Sequence, residues 1–318
     1  MFTVQDMLSA AGPQARHIEA LWWLMLAVCS VVFVAVLAAL AWVLWRAPRA
    51  AAGTPPDLRS LAQREGGTAL AVALAVLVSG LLLIGLMVAS FATDRGLGRL
   101  GPPELEIEVT AHRWWWEARY TSTEPSNTFV TANELHIPVG KPVLLRLRSD
   151  DVIHSLWVPA LAGKKDLIPG REATLEVQAD KPGTYRGQCA EFCGAQHAKM
   201  AFVVIADDEY ENWAAAQRKP AREPSNADQE RGRNIFLAGT CVMCHAIQGT
   251  SANARRAPDL THLASRGTLA AGTVPNTVGH LAGWILDPQG IKPGVNMPAN
   301  PMAPDDLQAL LAYLTGLQ

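Results

Sequence analysis

Between Gly187 and Met200 the chain reads GQCAEFCGAQHAKM, with Cys193 four residues after Cys189, His197 four further on and Met200 three beyond that. Thiolate, imidazole and thioether form a soft donor set that suits copper and other thiophilic metals rather than calcium or magnesium. One cysteine, one histidine and one methionine near the end of a β-barrel, completed by a second histidine, outline a mononuclear copper electron carrier. Cys189 is one thiolate more than that outline needs. Two sulfurs at this spacing can bridge two copper ions, with His154 in DVIHSLWVP supplying the remaining imidazole from an upstream loop. A disulfide between Cys189 and Cys193 is the competing reading. It leaves His197 and Met200 unexplained.

A second motif lies in TCVMCHAI, where Cys241, Cys244 and His245 have the spacing that attaches a c-type haem. The two cysteines form thioethers and the adjacent imidazole binds iron; a bare C-x-x-C would also fit a zinc or redox site. A methionine and histidine pair suits an electron carrier of relatively high potential. Met297 in KPGVNMPAN, a Pro- and Gly-rich loop before the last helix, is the candidate sixth ligand, and Met302 is its nearest rival. Met243 lies inside the attachment motif and cannot reach the opposite haem face. His262 or His280 would give a lower-potential bis-histidine iron.

The elements that must position these residues can be read from the apolar pattern. Leu21–Trp45 and Thr68–Thr93 contain no charged side chain, and about 20 such residues cross a bilayer as a helix. Trp22, Trp23, Trp42 and Trp45 mark the two ends of the first span, where indoles favour the membrane interface. A cleaved signal peptide is the alternative, but the run continues well past Cys29 with no small-residue cleavage site at its end. Arg46, Arg49, Arg59 and Arg64 in the connection outnumber the single Arg16 before the first span, which makes the connection cytoplasmic and leaves both termini outside. Arg95, Arg99 and Arg113 after the second span count the other way. Lys and Arg total 27 against 29 Asp and Glu, a formal net charge of -2 that offers no polyanion-binding signal and excludes nucleic acid as a partner class.

After Asp94 the pattern changes to short alternating runs, LEIEV, RWWWEARY, VLLRLR, ATLEV and AFVVI, separated by Pro and Gly turn signals. Several short strands at this spacing predict an all-β sandwich or barrel over 95–210. The polar, Pro-containing segment 211–228 reads as a linker. In the all-α region 229–318, Gln229–Gly239 is helical by pattern. A last helix carries Leu307, Leu310, Leu311 and Leu314 on one face, with Asp305 or Asp306 as its cap. His17, His112 and His136 carry no ligand spacing and are expected to be satisfied by local hydrogen bonds.

The pattern C-x-E-F-C-G-x-x-H-x-x-M, preceded by VIHSLWVP, KDLIPGR and HRWWWEARY after two apolar spans, closely resembles subunit II of haem-copper cytochrome c oxidases over residues 18–208. The resemblance implies a cupredoxin-like barrel behind the transmembrane hairpin of residues 1–94. It also implies a dinuclear copper A centre held by His154, Cys189, Cys193, His197 and Met200, with the backbone carbonyl of Glu191 as a further ligand. The Glu191 carboxylate would help hold magnesium at the contact with subunit I. Trp114 would belong to the electron-accepting patch near copper; on spacing alone, any of Trp114, Trp115 and Trp116 is a packing residue, with Trp115 on the opposite face. The C-terminal region resembles a class I cytochrome c domain, in which Met297 occupies the usual position of the iron ligand. One departure concerns Glu65, which GGTALAVALAV follows instead of an aromatic and proline-containing stretch, so a solvated loop residue replaces the family's proton-uptake role.

Two one-electron sites on one membrane-anchored chain make an electron wire. Electrons are expected to pass from the covalent haem c to the copper pair and on to an oxygen-reducing subunit I, with subunit III also in the complex. The donor upstream is a soluble cytochrome c or a quinol-oxidising complex. The expected location is a bacterial inner membrane, with the copper and haem domains on the periplasmic side and lipid around the hairpin. The apolar spans hold no histidines for further haem or copper, so this chain is not catalytic by itself. The alternatives are the electron-input subunit of a copper-containing nitric oxide reductase, a copper-binding assembly protein, and a structural anchor with a disulfide.

Overall fold

The computed structural model describes residues 3–47, 53, 55, 58, 66–98 and 100–318. Arg49, Arg59, Arg64, Glu65 and Arg99, on which the expected orientation and proton-uptake readings partly rest, lie outside the described residues.

The chain begins with a short strand, β1 (Thr3–Val4), followed by two long helices, α1 (Pro13–Arg46) and α2 (Gly66–Leu97). Their apolar side chains face outward all round, with Val31 70% and Leu83 67% exposed. A helix that is hydrophobic on every face and buried against nothing is a membrane span. The ring of His17 packs against Gly96, where a methyl group would approach it to 3.3 Å.

Ten strands follow: β2 (Leu105–His112), β3 (Trp115–Tyr120), β4 (Phe129–Ala132), β5 (Glu134–Pro138), β6 (Val143–Ser149), β7 (His154–Trp157), β8 (Lys165–Leu167), β9 (Ala173–Val177), β10 (Gly183–Cys189) and β11 (Ala201–Asp207). They form two sheets, ordered β4-β3-β2-β6-β9 and β5-β11-β10-β7-β8, with β1 added in parallel to β10. Strand side chains alternate between faces, so Ile107, Val109 and Ala111 of β2 meet Val143, Leu145 and Leu147 of β6 in one core. The same alternation turns Tyr185, Gly187 and Cys189 of β10 inward. Gly187 has no substitute there: a Cβ would lie 2.2 Å from the Phe202 ring, which packs 5.2 Å from Trp116.

The expected linker of 211–228 begins as helix α3 (Tyr210–Gln217). Tyr210, Ala214 and Gln217 are buried, and Trp213 stacks on His136 at 3.9 Å and meets Tyr120 and Phe129 edge-on. That stripe is narrow and set among charged residues, so composition hid it. The stretch after α3 is also tied down: Ala221 N–H donates to Gln248 O, and His262 Nε2 lies 3.1 Å from Lys219 O. The His136 ring is stacked on Trp213 with its Nδ1 left without a hydrogen-bond partner, and burial lowers its pKa to about 4. His112 stacks on Trp115, with Nδ1 3.4 Å from Asp150.

The C-terminal region contains α4 (Ala227–Ala238), a small hairpin of β12 (Thr268–Leu269) and β13 (Val274–Pro275), then α5 (Val278–Leu286), α6 (Pro288–Ile291) and α7 (Pro304–Leu314). Asn226 caps α4 by accepting from Gln229 N–H. Neither Asp305 nor Asp306 caps α7: Ala303 holds that position, Pro304 opens the helix, and both aspartates sit in its first turn, where the helix dipole favours them. Asp306 instead accepts from Arg231 of α4 at 2.6 Å. Helices α4 and α7 cross at Gly232, where a Cβ would lie 2.0 Å from Ala309 O and 2.8 Å from Tyr313 Cβ. The Gly232→Ala variant should therefore lose about 1–3 kcal/mol in the C-terminal domain by overpacking. Thermal denaturation followed by helical circular dichroism should show a lowered Tm for that domain alone.

Candidate functional sites

The inward turn of β10 delivers Cys189, and the loop into β11 returns Cys193, His197 and Met200 beneath it. The two Sγ atoms are 3.8 Å apart, nearly twice the ~2.05 Å of a disulfide. His154 Nδ1 lies 3.8 Å from Cys189 Sγ, His197 Nδ1 3.7 Å from Cys193 Sγ and Met200 Sδ 3.8 Å from Cys193 Sγ. Glu191 O lies 3.2 Å from Cys189 Sγ. Ligand-to-ligand edges of roughly 3.3–3.8 Å are what tetrahedral sites with bonds near 2.0–2.3 Å require. The donor set and its spacing thus fit a soft metal site.

His154, Cys189 and Cys193 are all buried, with one donor atom of each inside a 4.8 Å group. The two thiols act on each other in opposite directions: the Cys193 thiol, with help from His154, pulls Cys189 well below the ordinary thiol range against the effect of burial. Cys189 and burial in turn push Cys193 up. The His154 ring is oriented from behind, where its Nε2 lies 2.8 Å from Asp151 Oδ1 and leaves Nδ1 for the sulfur side. Asp151 also accepts from Arg113 N–H and Val152 N–H, each at 2.7 Å. Burial raises its carboxyl, but these bonds outweigh it and hold Asp151 below its ordinary value. The spacing of the ligands carries no sign of Asp151, although a carboxylate three residues before a candidate histidine was a usable signal.

Trp114 and Trp116 flank this loop on the inner side. Trp114 Nε1 donates to Cys193 O at 3.0 Å, and Trp116 Nε1 points to Met200 O at 3.5 Å. Gly194, at φ +111°, lets the Trp114 ring lie close: a Cβ there would come within 3.1 Å of it. The outer side differs. Phe192 is 76% exposed, and the Glu191 side chain lines an open groove with Lys165, Asp166, Arg171 and Glu172.

The second site is a cavity of about 410 Å³. Cys241, Cys244, His245 and Met297 all line it, among apolar Phe236, Leu260, Leu281, Ile285 and Leu310. His245 Nδ1–H donates to Pro258 O at 2.7 Å, which fixes the tautomer and leaves Nε2 for a metal. Gln289 braces the Met297 loop, donating to Val295 O and Met297 O and accepting from Gly294 N–H. Met302 packs into the helical core instead, and it is absent from the cavity wall. His262 is engaged with Lys219 O and His280 with Thr277 Oγ1.

Arg266 also lines this cavity, fully buried, with one nitrogen donating to Asp259 O and Nε left without a partner. The unpartnered Nε leaves this buried guanidinium one donor unsatisfied, a place that an anionic group such as a haem carboxylate would fit.

Part of the cavity wall comes from the β-sandwich, through Arg113, Trp114, Trp115 and Asn133. The helical domain is docked on the sandwich by Ala201 N–H donating to Ala271 O, Gly267 N–H to Glu134 Oε1 and Gln196 Nε2 to Pro293 O. The sequence offered no signal for this docking.

A sequence profile described as cytochrome c oxidase subunit II, periplasmic domain, matches residues 124–207, and one described as cytochrome c matches residues 229–318. The cytochrome c oxidase subunit 2 of Alkalihalophilus pseudofirmus is 36% identical over 98% of this chain and 90% of its own length. The protein of the same name from Bacillus subtilis is 29% identical over 77% of this chain and 71% of its own. Among solved structures, the periplasmic domain of cytochrome oxidase subunit II from Bradyrhizobium japonicum is 30% identical and covers 37% of this chain and 96% of its own, with a TM-score of 0.34. Asp151→Asn should free the His154 ring and lower copper affinity roughly 10- to 100-fold. A chelator-competition titration should read that loss while tryptophan emission stays unchanged.

Proposed function

From the premise that the chain belongs to the cytochrome c oxidase subunit II family, with a cytochrome c domain at its C-terminal end, we propose that it carries electrons from a haem c to a dinuclear copper A centre. From there they pass to an oxygen-reducing subunit I. The relatives are parts of an oxidase complex, and this chain's two apolar helices give it a membrane anchor. We read that membrane as a bacterial inner membrane, with both redox domains on the periplasmic side. A soluble cytochrome c or a quinol-oxidising complex supplies the electrons.

When bound, the two groups each supply a one-electron redox centre. Cys241 and Cys244 would hold the haem through thioethers, and His245 and Met297 would offer nitrogen and sulfur to its iron. His154, Cys189, Cys193, His197, Met200 and the Glu191 carbonyl would hold the copper pair. The observation that carries the reading is Trp114, which lines the haem cavity on one side and hydrogen-bonds to the carbonyl of Cys193 on the other. Its indole therefore touches both sites.

Around the copper ligands, Trp116, Phe202 and Leu156 exclude water, and Asp151 keeps His154 in the tautomer that presents Nδ1. The exposed Phe192 and the Glu191 groove form the surface we assign to subunit I, where Glu191 would share a magnesium ion with that partner. The chain reduces no oxygen by itself in this reading, because the reaction centre belongs to subunit I.

Metal analysis and electron paramagnetic resonance of the holoprotein test this. Two coppers per chain with hyperfine structure shared by both nuclei support the reading; a single copper with an unshared pattern, or no copper, contradicts it at Cys189. Met297→Ala should abolish the methionine-to-iron absorption, whereas Met302→Ala should leave it. The purified complex should consume oxygen, and consumption of nitric oxide alone would refute the terminal step.

A further inference from the structure

Lys292 is the one lysine among the largest fully buried side chains of the described residues, 1% exposed, although nothing in the family motifs singles it out. Its Nζ donates to Trp114 O at 2.7 Å and to Ala270 O at 3.0 Å. The first acceptor belongs to the β-sandwich and the second to the helical domain. A buried amino group is costly unless acceptors satisfy its donors, so this group favours the state in which both domains present their oxygens together.

The loop that supplies the second carbonyl has an uncommon backbone. Ala270 and Ala271 have φ of 53° and 58°, a left-handed conformation that L-residues other than glycine avoid. Such strain is kept where surrounding contacts enforce it. Here it turns Ala270 O to Lys292 and Ala271 O to the amide of Ala201, beside the copper loop. Lys292 also stands five residues before Met297, at the start of the loop that Gln289 braces. Gly294 of that loop lies against the Trp114 ring, where a Cβ would be 3.7 Å away.

We propose that Lys292 is a latch between the two domains, a positioning residue that holds the haem cavity against Trp114. The latch rests on the electron-transfer reading above for its purpose, but not for its geometry. It acts on no metal directly. It fixes the backbone of Trp114, whose indole in turn reaches Cys193.

The test uses the full-length holoprotein and its Lys292→Met variant, which keeps the length of the side chain and removes its donors. Hydrogen exchange reads local opening. In the unmodified chain the amides of Ala201 and Gly267, both donors across the interface, should be protected; in the variant both should exchange at least about tenfold faster. The Val203 amide, bonded to Asn133 inside the sandwich, should not change. Should the docked fraction drop to about a tenth, haem-to-copper transfer slows about tenfold. The copper hyperfine pattern and the methionine-to-iron absorption should persist.

Unchanged exchange and rate would overturn the latch, as would equal loosening of all amides in both domains, which marks a general packing role. If the variant does not accumulate, a viscosity series on the unmodified chain decides instead. A latched pair transfers at a rate indifferent to glycerol, and a rate that falls with viscosity overturns the proposal. Lys292-dependent protection without any electron transfer would refute the functional reading and leave the latch standing.

Discussion

The arrangement depends on one hydrogen bond, from the indole of Trp114 to the carbonyl of Cys193. Cys193 sits in the same loop as Glu191, whose carbonyl lies 3.2 Å from Cys189 Sγ, and such a loop is precise only if its carbonyls are tied down. Trp114 ties it from within the sandwich, and Gly194 makes the close approach possible. Because Trp114 precedes β3 rather than lying within it, its backbone carbonyl is free of the sheet ladder and available to Lys292. The same residue thereby faces the copper loop with its side chain and the helical domain with its main chain.

Rigid docking follows from the character of the contacts rather than their number. The interface bonds use buried or half-buried groups, Glu134, Gln196 and Lys292 among them. Breaking such a bond without water to replace it costs the desolvation of both partners. The polar connection after α3 is short of apolar residues and would flex in isolation, but Lys219 and Ala221 are bonded to the helical domain they lead into. The tether therefore limits how far that domain can move, and the interface fixes where it rests.

Much of this was legible in the sequence where chemistry is local. Cys189, Cys193, His197 and Met200 lie within one loop, and Cys241, Cys244 and His245 within one turn, so spacing reports their geometry directly. Loop position favours Met297 over Met302, and of the two only Met297 lines the cavity. What spacing cannot report is contact between distant segments: Asp151 behind His154, Arg266 facing the haem cavity, Lys292 reaching a carbonyl 178 residues away. Helix α3 was missed for a different reason: its buried side rests on Tyr210, Trp213 and Ala214 amid a polar run. There the tertiary surface, not the local pattern, creates the helix.

The central claim is that both centres sit on one docked body and exchange electrons within it. Rapid injection of a single electron into the haem of the full-length chain, followed optically at haem and copper over a range of chain concentrations, tests this most directly. The account predicts that haem reoxidation and copper reduction proceed together, first order, at one rate for every concentration. A rate that rises in proportion to concentration, or haem that stays reduced beside oxidised copper, would contradict it.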